Sequence, residues 1–112
     1  MFIQFSEYDL LELFETEPVV IGEYEAGMCI YSKIDDFGFK LVLTISVYEN
    51  ECLISLNHQS YSVPIVELKL KDVIKISRND NRLIIHCDNS KKQLEVLFKP
   101  NFSFNEIMIY SS

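Results

Sequence analysis

The stretch Phe39-Lys40-Leu41-Val42-Leu43-Thr44-Ile45-Ser46-Val47-Tyr48-Glu49-Asn50-Glu51-Cys52-Leu53-Ile54-Ser55-Leu56-Asn57-His58 decides the fold. Over residues 39–48, Phe39, Leu41, Leu43, Ile45 and Val47 alternate with Lys40, Val42, Thr44, Ser46 and Tyr48. Successive side chains of a strand point to opposite faces, so five apolar residues on one parity with mostly polar partners read as a half-buried antiparallel strand. Glu49-Asn50-Glu51 turns the chain, and Cys52, Ile54 and Leu56 carry the alternation on to His58. Two such runs joined by a short polar turn predict a β-hairpin.

Upstream, Asp35-Asp36-Phe37-Gly38 is a turn cluster. Residues 28–33 and 19–24 read as short strands, with Gly22 and Ala26-Gly27 at bulge and turn positions. Before Pro18 the period changes to that of a helix over residues 7–16. Ser6 is placed to cap it, Asp9 follows three residues on, and Leu10, Leu11, Leu13 and Phe14 form the apolar face. Glu7 and Asp9 in the first turn complement the helix dipole, and Pro18 stops the helix near Glu17.

Downstream, residues 61–68 read as a strand whose Pro64 argues for an edge or a bulge. Residues 73–77 and 83–87 flank the polar turn Arg78-Asn79-Asp80-Asn81-Arg82, and Asp88-Asn89-Ser90 turns into a strand at 93–98. Pro100-Asn101 leads to a last strand over 102–110, or a short helix around Glu106. One N-terminal α-helix and eight or nine closely spaced strands predict a mainly β protein. The architecture expected is an antiparallel β-sandwich or a strongly curved meander sheet. With no repeat or Gly/Ser/Pro-rich linker, 1–112 reads as a single domain.

At 112 residues and 48% hydrophobic, the chain has enough apolar material for a core without disulfides or metals. No run of about 18 apolar residues spans a membrane, and the start MFIQFSEYDLLELFE lacks the basic region of a secretory signal. Cys29, Cys52 and Cys87 are odd in number and far apart, each in an apolar run, which reads as buried thiols in a reducing cytosol.

The net charge of −7 is unevenly spread: residues 1–56 carry −9 and residues 57–112 carry +2. That sign is wrong for gripping a phosphate backbone, and it suits a basic protein partner. The same acids also serve as a solvated surface that keeps a protein in solution. The basic cluster Lys69, Lys71, Lys75, Arg78, Arg82, Lys91 and Lys92 is interleaved with Glu67, Asp72 and Asp80, and reads as a mixed-sign solvated face rather than a nucleic-acid site.

No nucleotide-binding loop, nucleophile elbow, zinc-protease helix or C-x-x-C pair occurs, so no cofactor, metal or catalytic residue is assigned. His58 and His86 lie far from each other and carry no cue for a pair with Cys52 or Cys87. The carboxylate pairs Asp35-Asp36 and Glu49/Glu51 fall in turns, where acids are frequent for conformational reasons.

The segment 17–38 is both acidic and aromatic. Tyrosine rings among carboxylates suit an interface: the ring supplies area, the hydroxyl a hydrogen bond, and the acids answer Arg or Lys. Tyr24 and Tyr31 also read as ordinary cross-strand aromatics. Residues 17–41, EPVVIGEYEAGMCIYSKIDDFGFKL, followed by the long alternating hairpin, resemble small bacterial proteins of the immunity type, which sit beside polymorphic or contact-dependent toxins. The likeness is one of size, acidity and strand pattern over about two-thirds of the chain, and it transfers no site residue. It implies a cytoplasmic, non-catalytic inhibitor whose acidic face blocks the basic cleft of a toxin, often a nuclease.

The expected interface is therefore Glu15, Glu17, Glu23, Tyr24, Glu25, Tyr31, Asp35 and Asp36. Two other roles fit the composition: a structural domain that oligomerises through strand edges, and a small-ligand carrier with an apolar cavity.

Overall fold

The alternation of residues 39–48 becomes the centre of a five-stranded antiparallel sheet. A computed structural model describes residues 2–22, 27–88 and 92–108, with residues 92 and 106–108 described by their backbone alone. The first sheet runs β1 (Val19–Val20), β2 (Met28–Ile34), β3 (Phe39–Ser46), β4 (Glu51–His58) and β5 (Val66–Leu70), each strand beside the one before it. The second is a four-stranded antiparallel meander of β6 (Val73–Asn79), β7 (Arg82–Cys87), β8 (Lys92–Leu97) and β9 (Ser103–Met108). The sandwich expected from the sequence is thus two successive meanders.

Leu41, Leu43 and Ile45 pair with Leu56, Ile54 and Cys52 on one side and with Lys33, Tyr31 and Cys29 on the other. These residues share one face, and Leu41, Leu43, Ile45 and Ile54 are completely buried. The same core takes Val73, Ile76, Leu83, Ile85, Leu94 and Val96 from the second sheet.

The helix α1 (Glu7–Phe14) lies against β2 and β6 and adds Leu10, Leu13 and Phe14 to that core. Ser6 Oγ accepts the Asp9 N–H at 3.3 Å, the expected N-cap. The helix ends at Phe14, two residues before the expected limit, because Glu15 turns left-handed (φ 61°) and its N–H returns to Leu11 O. There is no basic residue in the last turn. Lys33 of β2 takes that part: Nζ donates to Leu13 O at 3.4 Å and pairs with Glu15 at 2.8 Å.

Two stitches join the sheets. Gln4 exchanges backbone bonds with β6, from its N–H to Ile74 O and from the Ile76 N–H to its own carbonyl, while the Ile3 N–H reaches Val47 O. Asn50, left-handed in the β3–β4 turn, accepts the Val73 N–H through its carbonyl and donates from Nδ2 to Val73 O. Gly27 is also left-handed (φ 71°), and a Cβ there would come within 2.8 Å of the Tyr48 ring.

Several boundaries differ from expectation. The strand expected over 61–68 begins at Val66, because the chain is still closing a turn at Tyr61, whose N–H meets His58 O, and pairing with β4 starts only at Val66 opposite Leu56, leaving Tyr61 and Val63 exposed. Pro64, without an N–H, lies in that loop. The polar turn at 78–82 shrinks to Asp80-Asn81, with Asn79 and Arg82 already paired. β1 is two residues long, and β9 is a strand rather than a helix. The far part of the 19–24 strand, the Ala26 turn position, Asn89-Ser90, Lys91 and Tyr110 lie outside the described residues.

The two parities of β3 have different energetic weight. Leu43→Ala is expected to cost about 2–5 kcal/mol in urea unfolding, and Thr44→Ala, half-buried on the opposite face, under about 1 kcal/mol. Equal losses would overturn the assignment of faces.

Candidate functional site

One end of the sandwich is built from the turn between β2 and β3, the end of β4 with the loop after it, and the link between β8 and β9. In the first of these, Asp35 Oδ1 accepts the backbone N–H groups of Phe37 and Phe39, each at 2.9 Å. The Asp35 N–H returns to Phe39 O, so the side chain folds the turn around itself. Gly38 (φ 87°) lets the chain pass Gln59, whose side chain lies 2.9 Å from where a Cβ would stand.

His58 clamps the second segment to the first. Its Nδ1 accepts the Ser60 N–H at 3.1 Å, which leaves Nε2 to donate to Phe37 O at 2.9 Å. Its ring meets Phe39 and Tyr61 edge-on, with centroids 4.6 and 6.0 Å away. Both nitrogens are engaged with backbone, so the imidazole holds two loops together rather than serving as a base.

The third segment arrives along a row of aromatic rings. Tyr31 packs on Phe14, Phe14 on Phe98, and Phe98 on Phe102, with centroids 5.4, 5.1 and 5.4 Å apart. The last two contacts are edge-to-face, the favourable arrangement for aromatic quadrupoles. Between the three segments is a hollow of about 430 Å³ lined by Phe37, Phe39, Leu56, Pro100, Asn101 and Phe102, with Asp35 in its wall. Asp35 Oδ2 is shut off from solvent and has no hydrogen-bond donor.

A second hollow, about 630 Å³, runs beside the helix. Glu7, Tyr8, Leu11, Glu17, Val20 and Tyr48 lie along it, and Tyr8 and Tyr48 are 64% and 53% exposed. At the end of the helix, Glu15 is tied to Lys33, and Thr16 Oγ1 donates to Ser32 O at 3.1 Å. The Lys33 ammonium, by hydrogen bond and by charge, holds the Glu15 carboxyl below its usual range.

The structure thus brings Glu15, Glu17, Asp35 and Asp36 to the region of the helix end and the β2–β3 turn. Glu15, Glu17 and Asp36 are exposed. Glu23, Tyr24 and Glu25 lie outside the described residues. Tyr31 requires correction: it is 1% exposed and belongs to the core, so its ring is not offered to a partner. The sequence reading did not single out Tyr8, Tyr48, Phe39, Tyr61 or Phe102. Nothing local marks them, because the three segments of the end hollow are more than 15 residues apart in the chain.

The thiols also divide. Cys52 is buried, while Cys29 and Cys87 are half-buried. His86 Nε2 faces Ser77 Oγ at 3.1 Å, and burial, with Lys75 nearby, lowers its pKa. Among the described residues, no three of His, Cys, Asp and Glu are grouped to hold a metal, and no helix is long and apolar enough to cross a membrane.

An N-terminal helix on two antiparallel meanders, with aromatic hollows edged by acids, defines the class as a helix-bearing antiparallel β-sandwich. The sequence matches no family model and no curated protein. Among solved structures, the fold is similar to a chain of the contact-dependent growth inhibition toxin–immunity protein complex from Klebsiella pneumoniae 342. The TM-score is 0.80 at 22% identity, over 97% of this chain and 100% of that one.

Burial raises the Cys52 thiol from 9.0 to about 12 and the Tyr31 phenol from 10.0 to about 12. The folded chain keeps protons that the unfolded chain releases. Their contribution to stability is therefore complete below about pH 9 and is lost as pH rises towards 12. The urea midpoint should fall across that window, and more shallowly in the double variant Cys52→Ala, Tyr31→Phe. A slope identical to the wild type would refute this attribution.

Proposed function

We propose that this chain is an immunity protein, which neutralises a bacterial toxin domain by binding it and covering its active site. The observation that carries the reading is the end-to-end correspondence of fold with a chain from a toxin–immunity protein complex. Charge favours the inhibitor's role over the toxin's. The net charge is −7, with −9 in residues 1–56, which opposes nucleic acid and attracts a basic protein. The chain acts by binding in the cytoplasm rather than by catalysis, and the partner is a basic toxin domain, a nuclease being the class that best matches the sign.

The interface runs from the groove beside the helix, past Glu15 and Glu17, to Asp35 and Asp36 at the β2–β3 turn, and takes in Glu23, Tyr24 and Glu25. Exposed tyrosines supply contact area at low conformational cost, and the acids steer encounter. Tyr8 and Tyr48 replace Tyr31 as the aromatic contributors.

The test is co-expression with toxin domains of the contact-dependent type from the same source genome. The wild type should restore growth, and its association rate should fall roughly tenfold or more as salt rises from about 0.05 to about 0.5 M. The triple variant Tyr8→Ala, Glu17→Lys, Asp36→Lys, all exposed positions, should lose protection while its circular dichroism and melting stay those of a folded protein. Failure of the wild type to bind or protect would overturn the function, and full protection by the triple variant would overturn the interface.

A further inference from the structure

We infer that the free edge of β5 pairs with β5 of a second copy of this chain, antiparallel and centred on Leu68, so that the first sheet runs on across a two-fold axis. β5 is the last strand of that sheet and pairs only with β4. Gly38 O accepts the Gln59 N–H, which sets the odd residues of β4 towards β3, and Leu56 O accepts the Ile65 N–H, which sets the even ones towards β5. Val66, Leu68 and Leu70 answer them opposite Leu56, Ile54 and Cys52. The N–H and C=O groups of Glu67 and Lys69 therefore point away from the sheet. Among the described residues, no backbone group bonds to them.

The charges on this edge select both the partner and the register. A two-fold axis at Leu68 sets Glu67 opposite Lys69 of the second copy, and Lys69 opposite its Glu67, in pairs that exchange both backbone hydrogen bonds. Val66 then falls opposite Leu70, and Leu68 opposite its own copy. An axis at Glu67 would bring two glutamates face to face, and an axis at Lys69 two lysines. Like charges directly opposite are destabilising, so only the register centred on Leu68 is favoured. Free edges are usually blunted by a bulge, a proline or a very short strand. β5 keeps an unbroken register with β4 over Val66–Leu70, and its nearest proline, Pro64, lies before it. By contrast, β1 is two residues long, and Gln4 already bonds along β6.

Both faces of the strand gain from the pairing. Val66, Leu68 and Leu70 are only half-buried, with Leu68 and Leu70 packed on the core, and a second strand covers what they still expose. Lys69 Nζ lies 3.5 Å from Glu51, whereas Glu67 makes no ion pair among the described residues, and the second copy brings it a cation. Each copy spends its one β5 edge, so assembly closes at two. A strand of five residues buries less than a standard interface, so the dimer should have micromolar affinity. β5 is the edge opposite β1, which leaves the helix side open to a toxin, and the pairing does not depend on the immunity reading.

Sedimentation equilibrium of the wild type between about 1 and about 500 μM should show the average mass rising from 13.1 kDa towards twice that value. Glu67→Lys sets lysine against lysine on both sides of the axis and should weaken association about tenfold or more. Lys69→Glu should do the same with glutamates. The exchange variant Glu67→Lys, Lys69→Glu restores opposite charges and should recover association to within about threefold of the wild type. Both positions are exposed, so all three variants should melt within a few degrees of the wild type. Hydrogen exchange at the Glu67 and Lys69 amides should be fast in dilute protein and slow in concentrated protein.

A mass of 13.1 kDa at every concentration overturns the inference and leaves the immunity reading standing. A dimer of unchanged affinity in the two single variants also overturns it, because such a dimer assembles through another surface. An exchange variant as weak as the single ones overturns the register centred on Leu68. Slow exchange at Glu67 and Lys69 in dilute protein overturns the free edge, since another segment of the same chain then closes it. A dimer that follows the charges in a protein that binds no toxin domain upholds the pairing and overturns the immunity reading.

Discussion

β3 can lie in its sheet in only one register, and most of the molecule is arranged around that constraint. Its odd residues Leu41, Leu43 and Ile45 are fully buried, while Val42, Thr44 and Ser46 face outward. A slip of one residue would place a threonine and a serine in the core and three large aliphatic side chains in water, at a loss far above the stability of a small domain. Because β3 pairs with β2 along seven positions and with β4 along eight, its register is passed to both neighbours. The helix then supplies Leu10, Leu13 and Phe14 to the same core from beside β2 and β6, and Gln4 adds a short parallel bridge to β6. Lys33 is the cost of this arrangement: it lies on the inner parity, and the helix carboxyl end with Glu15 answers its charge.

That position explains what could be read from the sequence and what could not. The helix, the β3–β4 hairpin and the succession of short strands were legible because each has a clean period and its own turn residues. β2 was ambiguous. Its even residues, Met28, Ile30, Ser32 and Ile34, look more apolar than its odd ones, Cys29, Tyr31 and Lys33. A reading of β2 alone therefore turns Tyr31 outward, and only pairing with Leu41, Leu43 and Ile45 turns it in. The loop after β4 misled for a related reason. Tyr61 and Val63 alternate like a strand, but the chain is still turning at Tyr61, whose N–H meets His58 O, and pairing with β4 begins only at Val66. Local pattern specifies an element's tendency; whether the element exists also depends on a neighbour that the pattern does not contain.

The end hollow takes this further. Asp35 and Phe37 announce a turn and Leu56 a strand, while Phe98 and Phe102 read as strand ends and prove to be core residues in the link between β8 and β9; none is marked as part of a hollow. What joins them is His58, whose two ring nitrogens hold separate backbone segments, and the aromatic row that carries packing from the helix to Phe102. A hollow assembled in this way has its rigidity supplied by the core, and its walls are backed by side chains with little freedom left to lose.

The acids of the first half differ in what they can do for binding. Glu17 and Asp36 stand exposed, and charges of that kind set the long-range field and the rate of encounter. Glu15 and Asp35 are tied down, one to Lys33 and the other to its own turn amides. A restrained carboxylate contributes little to steering but makes a directional demand on whatever comes to rest against it. Of the two, Glu15 has its cation and Asp35 Oδ2 has none. The same net charge therefore has two components: a diffuse acidic field from exposed carboxylates, and carboxylates whose oxygens are spent on holding the fold. Charge alone does not tell one basic surface from another, so any selectivity must come from shape and from groups held in place.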